Sequence, residues 1–401
     1  MGDYPDILED YLHVSRKRHK NATAIAKLQM HLLEDLAVQE QAIKHYKAKC
    51  PTEPKEKQFI ESQIFHHRLI SNTVRHIRDG IAWRSFGYDR SIPRILAEHP
   101  VKHVVLSLGV VAELHEWSSI FFQASRTAII NAVTNCIGIG DVTAIDEDGS
   151  VELIEVKSGK TKSSRKIRQK NQLRDAAGIL GTGVGTIEGK LVKVASMPIT
   201  PTSYLVELRT LLEQCGSEGW SSALIAPHCY VECVDFRKLG QREDMTPKMK
   251  AAHQRCTEKW DDDDKISVMS SMDIITFSPN IAPFSIFPFD ERMCVELAIG
   301  AKQFRTYLNA TEVFKEFEAS GWTIESSLGD AIDQTNGEAV VILKKEGFVC
   351  HLPPGDFGKL QFEMLSPATL IEECEYIRGL GPKVAEGYGI WTFDGEARQW
   401  N

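Results

Sequence analysis

Apolar residues recur at helical spacing through the first part of the chain. A period of three to four residues between Leu8 and Lys47 predicts an amphipathic helix. The apolar stripe comprises Ile25, Leu28, Leu32, Leu36 and Ile43. The prolines of CPTEPKEK interrupt it, and a second helix is predicted from Phe59 to Ile77. Residues 1–80 are therefore predicted to form a helical hairpin suited to docking or dimerisation.

The segment DGIAWRSFGYDRS is rich in turn residues, and shorter apolar runs with other periods follow it. A helix capped by Ser118 or Ser119 is expected to run through FFQASRTAIINAV towards Asn135. The runs CIGIGDVTAID and SVELIEVK predict two strands, and a helix is predicted from about Arg165 to Leu180. The glycine-rich residues 178–190 lack the ending of a phosphate loop and are interpreted as a flexible connector. Residues 81–197 are assigned to one domain.

The second half of the chain has a mixed pattern that predicts a separate α/β domain, residues 198–401. Its predicted strands lie in SALIAPHCYVECVDF, ISVMSSMDIITFS and AVVILKKEGFVCHL. Its predicted helices run from Glu312 to Ala319 and from Leu370 to Ile377. The pattern does not indicate what this domain does, and regulation or partner binding is expected.

Composition narrows the classes of protein. With 401 residues, 42% of them hydrophobic, the chain can bury the cores of two or three domains. The acidic start MGDYPDILED lacks the features of a signal peptide, and no apolar run reaches the length of a membrane span. Nine single cysteines without a CxxC pair indicate a reducing cytosol, and Cys229 and Cys233 are predicted to be buried thiols on a strand. A cytoplasmic location without membrane contact is expected.

Charges stand at one end of the predicted hairpin IGDVTAIDEDGSVELIEVKSG. The apolar residues before them are typical of a strand buried on both faces. A three-residue turn, Glu147-Asp148-Gly149, makes paired residue numbers sum to 296 and places Asp141 opposite Glu155. Lys157 follows on the same face. Because two opposed carboxylates repel, a bridging divalent cation is the expected partner.

Gly140-Asp141, the hairpin and Glu155-Val156-Lys157 together resemble the core of the PD-(D/E)xK nuclease superfamily. The resemblance covers about residues 80–195 and implies a restriction-endonuclease-like mixed sheet flanked by helices. It implies that Asp141, Glu155 and the Val156 carbonyl bind Mg²⁺, with Mn²⁺ able to substitute, and that Lys157 assists the attacking water. The proline of the motif is absent, since Gly140 takes its place. A further glutamate would be Glu113 or Glu116.

The segment KSGKTKSSRKIRQK, residues 157–170, carries seven lysines or arginines and no acid, although the whole chain has a net charge of −8. Such a local excess favours contact with phosphates. The residues predicted to bind nucleic acid are Lys160, Lys162, Arg165, Arg168 and Gln172. Gln169 or Gln172 could take the polar position that the superfamily often has on the helix after the Glu-x-Lys strand. The core face of this helix is predicted to carry Leu173, Ala176, Ala177 and Leu180.

The sequence thus predicts a Mg²⁺-dependent nuclease that acts on DNA more readily than on RNA. A role in defence against phage is expected by analogy with other nucleases of the superfamily. A partner protein or a second copy is expected to dock on the N-terminal helices or the C-terminal half. An RNA-cleaving enzyme and a catalytically inert binding or scaffold protein are the alternatives. Endonuclease and exonuclease action both stay open.

Overall fold

The structure is a computed structural model. It describes residues 4–17, 21–49, 53–97, 114–121, 126–156, 164–187, 190–239, 250–251, 254, 258, 260, 266–271, 282–325, 341–352, 354–380 and 388–393. The chain divides into two compact units. Unit 1 comprises Met1–Ser196, Pro283–Ile299 and Gly387–Thr392, and unit 2 comprises Met197–Ala282, Gly300–Glu386 and Phe393–Asn401.

Twelve helices occur in the described ranges. They are α1 (Tyr4–Lys17), α2 (Ala22–Lys47), α3 (Pro54–Ser85), α4 (Ser91–Leu96), α5 (114–121), α6 (Ser164–Thr182), α7 (Leu205–Glu218), α8 (Phe236–Leu239), α9 (Glu291–Ala298), α10 (Ala310–Ala319), α11 (Pro354–Phe362) and α12 (Pro367–Gly379). Helices α1 to α6 and α9 belong to unit 1.

The strands form four small sheets. They are β1 (Thr127–Ile130), β2 (Val142–Ile145), β3 (Val151–Ile154), β4 (Val184–Ile187), β5 (Lys190–Met197), β6 (Trp220–Ala226), β7 (Cys229–Asp235), β8 (Ile266–Ser270), β9 (Lys302–Asn309), β10 (Thr323–Ile324), β11 (Val341–Lys345), β12 (Phe348–Leu352) and β13 (Tyr388–Phe393). The sheet orders are β1-β2-β3, β13-β5-β4, β6-β7-β9-β8 and β10-β11-β12. Each pairing with a described register is antiparallel, so the fold is mixed α/β with small antiparallel sheets.

The N-terminal residues are helical as predicted, but the single helix predicted between Leu8 and Lys47 is divided into α1, which runs to Lys17, and α2, which begins after Asn21. Asn21 begins α2 by accepting a hydrogen bond from the Ala24 N–H at 3.0 Å. Four stripe residues are buried, namely Ile25, Leu28, Leu32 and Leu36, whereas Ile43 is partly exposed. The first half of α2 also contacts the sheet, because the Gln29 side-chain amide donates to the Ala128 carbonyl of β1 at 2.8 Å. These helices therefore share a compact unit with β1 to β3.

Helix α3 continues to Ser85, beyond the predicted end at Ile77. The sequence DGIAWRS looked rich in turn residues, but Gly80 lies inside the helix. A Cβ at Gly80 would come within 2.1 Å of the Ser285 Oγ. Glycine at this position thus allows the 3₁₀ turn Phe284–Ile286 to approach the helix closely.

Two arginines fasten the segment 283–299 to the helices of unit 1. Arg16 donates to the carbonyls of Ser285 at 3.1 Å, of Phe287 at 2.8 Å, and of Phe289. Arg84 donates to the Ser285 carbonyl as well. Burial lowers the pKa of Arg84 to about 10, so it stays charged at neutral pH. Unit 1 therefore needs residues from the second half of the chain.

The helix predicted from Ser118 or Ser119 towards Asn135 is wrong. Thr127–Ile130, inside the predicted helix, forms β1, which pairs with β2 from Thr127↔Ile145 to Ile130↔Val142. The β-branched residues of this stretch suit a strand once a partner strand is available. The connector predicted over 178–190 is also wrong, since α6 runs to Thr182 and β4 occupies Val184–Ile187.

Unit 2 contains strands and helices where the sequence predicted them, but ISVMSSMDIITFS forms a strand only at Ile266–Ser270, and its residues 272–278 lie outside the described residues. The stretch SALIAPHCYVECVDF forms β6 and β7, and AVVILKKEGFVCHL forms β11 and β12. The two predicted helices are α10 and α12. The buried positions of Cys229 and Cys233 on β7 confirm them as strand thiols. Over the described ranges, every helix is too short or too polar to span a bilayer.

A histidine of unit 2 is buried beside acidic residues. His228 lies in the turn between β6 and β7, with its side chain 2% exposed. Its Nδ1 lies 3.2 Å from an Oε1 of Glu316, and its ring centroid lies 5.9 Å from that of Tyr204, with the two planes tilted by 52°. Burial lowers the pKa of His228 to about 4, although the charge of Glu312 opposes the shift. The imidazole is therefore neutral at pH 7 and donates to Glu316.

This shift predicts acid sensitivity. Unfolded chains bind the proton below a pKa of about 6.5, whereas the folded protein resists it down to about 4. Stability should therefore fall as the pH drops from 6.5 to 4, by up to about 3 kcal/mol from His228 alone. Urea denaturation at several pH values in this range gives the unfolding free energy of the parent and of His228→Gln. The contribution of His228 is the difference between the two profiles of unfolding free energy against pH. Parallel profiles would contradict the prediction.

Candidate metal centre

A three-residue turn joins β2 to β3. The Asp146 N–H donates to the Ser150 carbonyl at 3.0 Å and closes the turn Glu147-Asp148-Gly149. Gly149 has a φ of +86°, a left-handed conformation that glycine adopts without a Cβ clash. The predicted turn and the role of its glycine are confirmed.

The register of the hairpin agrees with the prediction. The described pairs run from Ile145↔Val151 to Val142↔Ile154, and the residue numbers of each pair sum to 296. Asp141 and Glu155 occupy the next position beyond the last pair. The burial prediction is only half right: β2 is buried throughout, whereas β3 lies at the edge of its sheet, with Leu153 alone fully buried.

Asp141 contacts the backbone on both sides of Glu155. Its N–H donates to the Ile154 carbonyl at 2.8 Å, and its Oδ2 accepts from the Val156 N–H at 2.7 Å. The carbonyl and the N–H belong to the two peptide groups that flank the Glu155 Cα. A side chain on one strand thus holds the end of the other strand, and Asp141, Glu155 and Val156 lie together. All three are partly buried.

Gly140 gives the chain its path into Asp141. Its φ is +78°, which proline cannot adopt because its ring fixes φ near −65°. A Cβ here would also lie 3.2 Å from the Ile154 carbonyl oxygen, closer than ordinary van der Waals contact. The absence of the motif's proline therefore has a structural reason at this position.

A buried carboxylate on α3 holds the loop that leads to Gly140. Asp79 accepts from the Asn135 N–H at 2.6 Å, the Asn135 Nδ2 at 3.0 Å and the Cys136 N–H at 3.2 Å. Its side chain is only 4% exposed. Sequence reasoning missed Asp79 because it lies in a stretch interpreted as a turn. A buried charge with three donors is a strong positional constraint.

The turn end of the hairpin is fastened separately. Arg126 pairs with Glu152 of β3 at 2.6 Å and also with Asp146. The hydrogen bond that Arg126 donates to Glu152 and the charge of Asp146 raise the pKa of Arg126. Because both carboxylates are in contact with solvent, the pairs contribute modestly to stability. They nevertheless tie the start of β1 to the hairpin.

Several predicted site residues fall in parts of the chain that the structure does not describe. Lys157, Lys160, Lys162 and Glu113 lie outside the described residues, and so do the side chains of Arg165 and Arg168. Glu116 is partly buried on α5, next to Trp117, whose indole N–H donates to the Ala128 carbonyl at 2.9 Å. Helix α5 thus packs against β1.

Helix α6 follows the hairpin and contacts β3. Its buried residues are Ala176 and Ile179. Gln169 and Gln172 precede Ala176 at helical spacing and are partly buried, so both lie on or beside the packed face. The predicted core face is partly wrong, since Ala177 is exposed and Leu173 and Leu180 are only partly buried.

The donors at the end of the hairpin suit a hard divalent cation. Asp141 and Glu155 offer carboxylate oxygens, and Mg²⁺ prefers oxygen ligands while keeping several waters. Within the described ranges, no cluster of three or more His, Cys, Asp or Glu side chains could hold a metal. Two carboxylates and a backbone carbonyl leave coordination positions for water and for a phosphate. The residues present therefore fit Mg²⁺ bound together with a substrate.

Comparisons with protein-family models, with curated proteins and with solved structures gave no match. The assignment of the site thus depends on its own geometry and on the motif.

The two glycines of the hairpin allow a matched test of its geometry. Both have a positive φ, but a Cβ would meet nothing within 4 Å at Gly149 and would crowd the Ile154 carbonyl at Gly140. Gly149→Ala should cost about 1 kcal/mol of unfolding free energy, from backbone strain alone. Gly140→Ala should cost about 2 kcal/mol or more. Urea denaturation measures both, and equal costs would contradict the close approach at Gly140.

Proposed function

We propose that the protein is a metal-dependent nuclease that hydrolyses phosphodiester bonds, with DNA as the preferred substrate. The observation that carries the proposal is the contact of Asp141 with both peptide groups of Glu155. It brings together the aspartate and the Glu-x-Lys element, which are 14 residues apart in sequence. Two carboxylates at the end of a hairpin, followed by a lysine, are the residues that metal-assisted phosphodiester hydrolysis requires.

In this proposal Asp141, Glu155 and the Val156 carbonyl hold Mg²⁺, and Mn²⁺ can replace it. The metal, when bound, lowers the pKa of a water and neutralises charge on the phosphate. Asp141 orients the end of β3 through its bond to the Val156 N–H, so its carboxylate also organises the backbone of the site. Lys157 orients the attacking water or stabilises developing negative charge.

The segment after the hairpin is proposed to bind the nucleic acid. Its basic residues stand out from a chain with a net charge of −8 and supply positive charge where a phosphate backbone would lie. Lys160, Lys162, Arg165 and Arg168 are the proposed phosphate contacts. Gln169 and Gln172 are proposed to face the centre, which agrees with their partly buried positions on α6.

The wider setting is proposed by analogy. A restriction-endonuclease-like core fits the order of a helix, three antiparallel strands and a helix, from α5 to α6. Phage defence in the cytoplasm is the proposed role. The N-terminal helices offer exposed apolar side chains, Val38, Phe59 and Phe65, for a partner or a second copy. The C-terminal half is the alternative surface for docking.

Replacement of Asp141 tests the proposed chemistry directly. Asp141→Asn keeps the shape of the side chain and an oxygen for the Val156 N–H, but removes the charge that binds a cation. Mg²⁺-dependent cleavage of plasmid DNA should fall by at least about 100-fold, because removal of a ligand should cost at least as much as the loss of a group supporting one. Lys157→Ala should also abolish cleavage while the protein stays folded.

Asp148→Asn is the matched control. Asp148 is an exposed carboxylate in the turn of the same hairpin, and it accepts from the Ser150 N–H at 2.9 Å, as an asparagine oxygen also can. This variant should cleave at the parental rate, and chelation of divalent cations should stop every active variant. Equal Mg²⁺-dependent rates for Asp141→Asn and the parent would rule out the proposed centre.

Parallel digestion of DNA and RNA identifies the polymer. Single- and double-stranded forms of each, with Mg²⁺ or Mn²⁺, should show faster metal-dependent cleavage of DNA. Faster cleavage of RNA would keep the centre and change the substrate. Binding of nucleic acid without cleavage under either metal, unaltered by Asp141→Asn, would indicate an inert binding protein.

A further inference from the structure

Asn131 is a polar residue buried beside the candidate metal centre. It follows β1 directly, begins the 3₁₀ turn Asn131–Val133, and is 1% exposed. The turn is closed by the Thr134 N–H and the Thr134 hydroxyl, each of which donates to the Asn131 carbonyl at 3.0 Å. Hydrogen bonds within its own turn therefore help to set the position of Asn131.

Asn131 forms hydrogen bonds to residues that precede and follow Gly140. Its Nδ2 donates to the Ile139 carbonyl at 2.9 Å, and its backbone N–H donates to the Asp141 carbonyl at 3.0 Å. Its Oδ1 accepts from the Thr143 hydroxyl at 2.8 Å. One residue thus holds the chain before Gly140, at Asp141 and after it.

The Asn131 amide lies directly beside Gly140. A Cβ on Gly140 would be 3.5 Å from the Asn131 Nδ2, an ordinary van der Waals contact. Thr143 is buried as well, and its hydroxyl fixes which end of the amide faces β2. An amide used at both ends in a buried place has a single favourable orientation.

We propose that Asn131 is a positioning residue of the metal centre. It fixes the backbone of Asp141 so that the carboxylate stands ready for a divalent cation before the cation arrives. The inference rests on the proposed function, since it concerns the same centre. It goes beyond it by assigning the support of Asp141 to a residue outside the motif. Ligands that are held in place by neighbouring groups bind metal more tightly than mobile ones, typically by 10- to 100-fold.

Mn²⁺ affinity of the full-length protein, measured by titration calorimetry, tests the assignment without a nucleic acid. Asn131→Ala removes both side-chain bonds and should weaken Mn²⁺ binding by about 10- to 100-fold. Thr143→Val keeps the shape of the residue but leaves the Asn131 oxygen without its donor, and should weaken binding by about 3- to 10-fold. The second variant decides the question if the first does not fold.

Asn135→Ala is the matched control. Asn135 lies in the same loop, and its amide bonds to Asp79 on α3. Asn135→Ala removes that bond but keeps the backbone bonds of Asn135 and Cys136 to Asp79, and every bond of Asn131. It should lower the melting temperature by an amount comparable to Thr143→Val, about 2–4 °C, and change Mn²⁺ affinity less than about twofold. Affinity for the metal therefore separates positioning from a general loss of stability.

A second measurement uses cleavage at increasing Mg²⁺ concentration. The positioning role predicts that Thr143→Val needs more Mg²⁺ for half-maximal rate, while the rate at saturating Mg²⁺ approaches that of the parent. Parental Mn²⁺ affinity in both Asn131→Ala and Thr143→Val would overturn the assignment and leave the centre intact. A parent that binds Mn²⁺ no better than Asp141→Asn would overturn the centre itself, and the role of Asn131 with it.

Discussion

The turn between β2 and β3 sets the geometry on which the candidate centre depends. Side chains alternate along a strand, so a shift of one residue in the pairing would turn Asp141 and Glu155 to opposite faces of the sheet. The loop of three residues, with Gly149 at φ +86°, excludes that shift. The contact of Asp141 with the peptide groups that flank Glu155, at the far end of the hairpin, thus depends on a glycine eight residues from Asp141.

Buried polar side chains around this hairpin form hydrogen bonds to the strands of its sheet and to the loop before it. Asp79 of α3 holds the loop before Gly140, Gln29 of α2 bonds to β1, and Asn131 joins β1 to β2. Each of these side chains is buried and hydrogen-bonded, and a buried polar group that lost its partner would destabilise the fold. The N-terminal helices are therefore part of the framework of the sheet.

The segment 283–299 places a further condition on the fold. Arg16 and Arg84 bind successive carbonyls of this segment, and Gly80 lets it approach α3. Residues from the second half of the chain thus complete the unit that contains the hairpin. A fragment cut at residue 197 would remove the carbonyls of segment 283–299 that accept from Arg16 and Arg84, so unit 1 needs the full chain.

The sequence by itself determined the elements that depend on residues close together in the chain, namely a helix and a hairpin. The stripe of Leu28, Leu32 and Leu36 specifies a helix, and the spacing around Gly149 specifies the hairpin and its register. Tertiary structure decided the rest, because the deciding contacts join residues far apart in the chain. Residues 127–130 became a strand because β2 offered a partner, and Gly80 stayed helical because Ser285 packs against it. The support of Asp141 by Asn131 and Asp79 is likewise visible only once the distant segments have packed, since a polar residue acquires its role from the donors and acceptors that surround it.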